Sequence, residues 1–147
     1  MEPPKAITKD DKEKNYKKSS KITSFKIYEQ ESKEKYYLIE LWIKEENMVI
    51  VLKNYESPIP LTYEGEFSFL NLIKINKYFG LFETLDVIIQ NIVELQSKGL
   101  ILISKNLNDN FDFILNVELN KEKIQIKFKL LFTGNKLFHL SKFIDFI

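Results

Sequence analysis

Residues that carry out covalent or acid–base chemistry are scarce in this chain. It has no cysteine and one histidine, His139. Thiolate nucleophiles and cysteine-bound zinc are therefore excluded, and the histidine has no second His or Cys with which to hold a metal. His139 sits between Phe138 and Leu140, away from any serine-rich turn, and reads as a packed or surface residue. All 22 basic residues are lysine, so no guanidinium fork is present for bidentate contact with phosphate, carboxylate or guanine. A phosphate cradle needs clustered glycines, whereas Gly65, Gly80, Gly99 and Gly134 are spread one to each expected element boundary. Two carboxylate pairs, Asp109 with Asp112 and Glu64 with Glu66, have the chemistry to bind a divalent cation. Turns and helix starts recruit acids for local hydrogen bonds anyway. The chain is expected to be non-enzymatic, with no catalytic residue, cofactor or metal.

Binding chemistry remains. Trp42 falls on the polar parity of its strand beside Leu38 and Lys44. Either a second layer covers that face or the tryptophan is exposed for a partner, tryptophan being enriched in binding hot spots. The C-terminal residues Phe138, Phe143, Ile144 and Ile147 form an apolar end that must dock on the body or on something else. Lys12, Lys14, Lys17 and Lys18 supply a basic cluster suited to an acidic surface or to phosphates. Most phenylalanines instead fall on apolar strand or helix positions, which makes them core and not a stacking platform for bases.

The elements that must position these groups follow from periodicity. Tyr37, Ile39, Leu41 and Ile43 alternate with Leu38, Glu40, Trp42 and Lys44, the period of a half-buried strand. A polar turn at Glu45-Glu46-Asn47 leads to a partner strand over 48–53, making a hairpin. Prolines at 58 and 60 break the ladder, and 61–64 reads as a short third strand. Ser68 caps a helix that places Phe69, Leu72, Ile73 and Phe79 on the core and ends at Gly80. Thr84 caps a second helix to about residue 97, with Leu85, Ile88, Ile89, Ile92 and Gln96 at helical spacing and Gly99 as its terminator. Residues 100–104 form an apolar strand. Two more strands alternate around Asn120-Lys121: Phe111, Phe113, Leu115, Val117, Leu119, then Ile124, Ile126, Phe128, Leu130, Phe132. Leu137, Leu140, Ile144 and Ile147 share one helical face, predicting a terminal amphipathic helix.

The predicted class is α+β: an antiparallel β-sandwich or sheet with a helix-turn-helix inserted between an N-terminal hairpin and three C-terminal strands. At 147 residues, 44% hydrophobic and with 12 Phe and 7 Tyr, the chain can bury one real core. Residues 1–35 carry net charge +3 and are expected as a flexible Lys-rich arm; residues 36–147 carry −2 and are expected as a single α+β domain. No apolar run approaches the roughly 18 residues needed to span a bilayer, and the N-terminus has no signal-peptide core. The expected location is cytoplasmic, cytoskeletal or ciliary, with the nucleus as the alternative.

The order of hairpin, two helices, three strands and a terminal helix resembles the head domains shared by the centriole-cartwheel scaffold and the end-joining scaffold of DNA repair, small β-sandwiches interrupted by two helices. The all-lysine composition resembles that of proteins from AT-rich protists such as ciliates. Together these resemblances imply a protein-interaction or scaffold module of a ciliary, centriolar or microtubule-associated assembly, its arm lying against an acidic surface such as tubulin. The alternative they leave open is an accessory subunit of a nucleic-acid complex, with the arm on phosphates.

Overall fold

In a computed structural model, residues 21–28, 35–55, 58–106 and 108–134 are described. Their elements are β1 (Thr23–Tyr28), β2 (Tyr36–Lys44), β3 (Asn47–Asn54), β4 (Leu61–Ser68), α1 (Phe69–Ile75), a 3-10 helix (Lys77–Leu81), α2 (Leu85–Ser97), β5 (Ile101–Lys105), β6 (Phe111–Leu119) and β7 (Glu122–Gly134). The strands form one antiparallel seven-stranded sheet in the order β1-β2-β3-β4-β7-β6-β5.

The α+β class and the insertion of helices ahead of the last three strands are as expected. The sheet, however, is single and nearly barrel-like. Its cause is the length of β7. Thirteen residues let the strand pair with β6 over Glu122–Leu130 and then with β4 over Leu131–Gly134. The ladder shifts register at Thr62/Tyr63, an irregularity of the kind that bends a strand. The edges β1 and β5 come alongside each other, and the Gln96 side chain of α2 donates to the Lys26 carbonyl of β1 at 2.8 Å.

β1 is a second difference from expectation. Residues 23–28 fall inside the range expected as arm, yet they pair with β2 from Thr23↔Leu41 to Tyr28↔Tyr36 and bury Ile27. The sheet therefore starts at Thr23. Its sequence signal is the apolar alternation Phe25, Ile27, brief enough to be masked by flanking lysines. The C-terminal helix expected at 136–147 lies outside the described residues.

Local chemistry explains the helices. The Ser68 hydroxyl accepts from the Asn71 amide at 3.0 Å while the Asn71 side chain accepts from the Ser68 amide at 3.2 Å, a reciprocal capping box with Asn in the usual Glu/Gln place. α1 stops at Ile75, not at Gly80. Asn76 takes an extended conformation and its Oδ1 accepts from the Tyr78 amide at 2.9 Å, capping the 3-10 turn instead. Thr84 caps α2 as expected. At its end Gly99 has φ +71°, and the amides of Gly99 and Leu100 return to the carbonyls of Gln96 and Leu95, the bonding of a Schellman terminus.

The core lies inside the curved sheet and under the helices. Ile39, Leu41, Ile50, Leu52, Leu72, Phe79, Ile88, Ile92, Phe113, Leu115 and Phe128 are fully inaccessible. Phe128 is its hub, with ring centroids 5.2 Å from Phe67, 5.6 Å from Phe79 and 6.3 Å from Phe113. Gly65 was expected at a boundary but sits within β4. A Cβ there would come within 2.8 Å of the Phe67 ring and 3.0 Å of Leu130, so glycine makes room for the ring that reaches Phe128. Phe132, at an apolar parity position, is 47% exposed because β7 has by then left the covered part of the core.

Two outcomes are expected from this packing. Phe128→Ala should cost about 3–5 kcal/mol in urea denaturation, since an aromatic cavity would be left in contact with three other rings, whereas Phe132→Ala should cost far less. A chain beginning at Lys21 should melt like the full chain. One beginning at Tyr36 should melt lower, because removing β1 uncovers the β2 edge.

Candidate functional site

The two faces of β2 and β3 differ in what they touch. Ile39 and Leu41 of β2 and Met48, Ile50 and Leu52 of β3 point into the core. The opposite parity makes an outer face, and the register sets its rows: Trp42 beside Val49 beside Glu66, Glu40 beside Val51 beside Glu64, and Leu38 beside Lys53 beside Thr62. Lys26 of β1 flanks Leu38, and Leu131 of β7 flanks Glu64. Trp42 and Leu38 are half-buried, as are Glu40 and Lys53, whose carboxylate and ammonium pair at 2.8 Å. The result is an apolar strip of Leu38, Trp42, Val49 and Val51 edged by acids of β4.

This strip brings together two of the residues singled out from sequence, Leu38 and Trp42. The others, Lys12, Lys14, Lys17, Lys18, Phe138, Phe143, Ile144 and Ile147, lie outside the described residues, as does His139. Sequence reasoning missed Val49 and Val51, which are 0% and 3% exposed on the outer face. The signal was available: 48–52 is an unbroken apolar run, the pattern of a strand covered on both faces and not of a half-buried one.

The acids do not converge. Asp109 pairs with Lys105 at 3.2 Å, and Asp112 stands in the β6 register between Ser104 and Lys129. Among the described residues no three His, Cys, Asp or Glu side chains gather as a metal set. No described helix is long and apolar enough to cross a membrane.

A cleft of about 530 Å³ opens between α2 and the β6–β7 hairpin, floored by Leu95, Leu100, Val117 and Ile124. Several of its polar groups are hydrogen-bonded within the fold. Asn91 donates to the Tyr78 hydroxyl at 2.7 Å, Gln125 donates to the Asn116 side-chain oxygen at 3.0 Å, and the Asn116 amide groups donate to the Leu100 carbonyl. The first bond ties α2 to the 3-10 turn, the second links β6 to β7, and the third ties the segment after α2 to β6.

One titrating group is displaced at the opposite end of the barrel. Burial pushes the Tyr63 hydroxyl above the usual tyrosine range; the charge of Asp109 adds to the shift and that of Lys105 opposes it. The Tyr63 ring packs edge-on against Phe111 at 4.6 Å and lies 5.4 Å from Phe132.

No family model and no curated protein matches the sequence. Among solved structures, the chain is similar to the head domain of human CCDC61, with a TM-score of 0.58 and 10% identity over 78% of this chain and 98% of that one. The likeness is one of fold. It meets the head-domain resemblance drawn above from element order alone.

The Tyr63 shift has a pH consequence. A folded value raised above the unfolded value of about 10 means that the neutral hydroxyl is favoured in the fold. The associated stability is intact below about pH 10 and is lost as pH rises through the folded value. Tyr63→Phe should therefore flatten part of the alkaline loss of stability when urea midpoints are compared from neutral to alkaline pH. An unchanged alkaline limb would place the loss on other groups.

Proposed function

We propose that this domain is a non-enzymatic interaction or scaffold module of a larger protein assembly, cytoskeletal in kind and of the ciliary, centriolar or microtubule-associated class, with proteins as its partners. The observation that carries this is the outer strip of β2 and β3. Large apolar side chains stand there on the face away from the core, among them the chain's one tryptophan. A tryptophan flanked by aliphatic groups and rimmed by charge has the make-up of a binding hot spot. Likeness of fold to a head domain supports the scaffold class.

In this reading the Lys-rich residues 1–20 add a weak, salt-sensitive attraction to acidic surfaces such as tubulin, and the strip supplies specificity. The nucleic-acid alternative assigns the main contact to Lys12, Lys14, Lys17 and Lys18.

The test compares partners recovered from the native source by the wild-type chain, by Trp42→Ala, and by a chain with those four lysines changed to glutamine, each checked for a cooperative melt. Trp42→Ala should lose protein partners, while the lysine variant should keep them with reduced salt sensitivity. The opposite result would favour the alternative: partners kept by Trp42→Ala, lost with the lysines, and nucleic-acid binding falling by about 0.9 log units per phosphate contact for each tenfold rise in salt.

A further inference from the structure

The outer parity of β2 continues beyond the apolar strip. Trp42, Glu40, Leu38 and Tyr36 alternate with the core-facing residues of the strand, and Tyr36 is the middle of a row of three tyrosines. Tyr28 of β1 stands opposite it in the ladder. On its other side is Tyr55, one residue beyond the Tyr37↔Asn54 pair that ends the β2–β3 ladder. The ring centroids are 5.9 Å and 6.2 Å apart, and the ring planes tilt by 54° and 41°. Rings tilted in this way leave two slots side by side. Tyr28 and Tyr55 are 54% and 41% exposed, so the outer two rings add little to the core. The Lys26 ammonium lies 4.6 Å from the centroid of Tyr36, a cation–π contact that steadies the central ring.

We propose that this tyrosine row docks a proline-rich segment of a protein partner, held in the polyproline II conformation with proline at alternate positions. The first argument is one of repeat length. Polyproline II rises about 3.1 Å per residue with three residues per turn, so when residue i+1 points to water, residues i and i+2 both face the surface about 6.2 Å apart. Slots between rings spaced 5.9 Å and 6.2 Å repeat at that interval. The second argument is hydrogen bonding. A polyproline II segment has no internal hydrogen bonds and leaves its carbonyls open, while tyrosine hydroxyls and a lysine ammonium are donors. Aromatic grooves favour such a segment because it is already ordered before it binds. Single-stranded nucleic acid also stacks on aromatic rings, but it needs a cationic track for its phosphates. Here Lys53 is paired with Glu40 at 2.8 Å, the Lys26 ammonium lies over Tyr36, and the face runs on to Glu64 and Glu66. The charge therefore favours a peptide. The proposal rests on the reading of this outer face as the interaction surface, and it gives the protein partner a chemical class.

The test titrates a polyproline peptide into the isotope-enriched full chain and follows amide signals by NMR. Saturable shifts should appear at Lys26, Tyr28, Tyr36 and Tyr55 and be absent around Gly99, and a glycine–serine peptide of equal length should produce none. Tyr28→Ala and Tyr55→Ala replace exposed rings and should melt like the wild type. Each should weaken polyproline binding by about tenfold, the loss expected when a ring at the centre of a contact is truncated. Three results overturn the proposal: no saturable shift with polyproline, affinity unchanged in both variants, or oligothymidine bound at these tyrosines more tightly than polyproline and with steep salt dependence, which would assign the row to nucleic acid. The titration uses no native partner. If it fails while Trp42→Ala still loses protein partners, the proline-rich class alone is wrong; if it succeeds while Trp42→Ala keeps them, the tyrosine row stands and the reading centred on Trp42 falls.

Discussion

Continuous pairing along β7 is the constraint on which the other features depend. Its first part completes the β6 hairpin, a local contact closed by the two-residue turn Asn120-Lys121, both with positive φ. Its last part pairs with β4, some seventy residues earlier in the chain. Closing so long a loop costs only slightly more than closing a shorter one, and the return is a sheet that curves around a single core. With a shorter β7, the first four strands and the last three would be separate sheets, each with an exposed edge to protect.

The inner face of that strand explains the aromatic content. Phe128 meets Phe67 of β4, Phe79 of the 3-10 turn and Phe113 of β6, so one ring touches three otherwise distant parts of the chain. Offset and edge-to-face rings add to burial in such contacts. Accommodation of Phe67 in turn requires Gly65, and the break at Asn76 turns Phe79 toward Phe128 from a separate short helix. Two residues that look like punctuation in the sequence are thus packing devices.

On the opposite face, β2 and β3 carry apolar groups in place of the alternating polar residues that a one-sided sheet presents to water. Burial of Val49 and Val51 makes this face part of the structure. Half-buried Trp42 stands at its margin, and the Glu40–Lys53 pair beside it is partly withdrawn from solvent. The surface is neither open apolar patch nor ordinary polar exterior.

The alternation of 37–43 and of the 111–119 and 124–132 segments, the caps at Ser68 and Thr84, and the left-handed terminus at Gly99 were all legible from the sequence, because period and capping depend on a few neighbouring residues. The parity of Trp42 was legible for the same reason. Partnership was not. Strand β1 gains its identity from Leu41, Ile39 and Tyr37 across the ladder, and six residues flanked by lysines carry too little pattern to announce it. The double burial of β3 was written in its unbroken apolar run, but only the register shows that Val49 and Val51 share a face with Trp42 and Leu38. Closure of the sheet was beyond local pattern altogether, since it depends on which strand the end of β7 finds, and that is decided by packing between residues far apart in the chain.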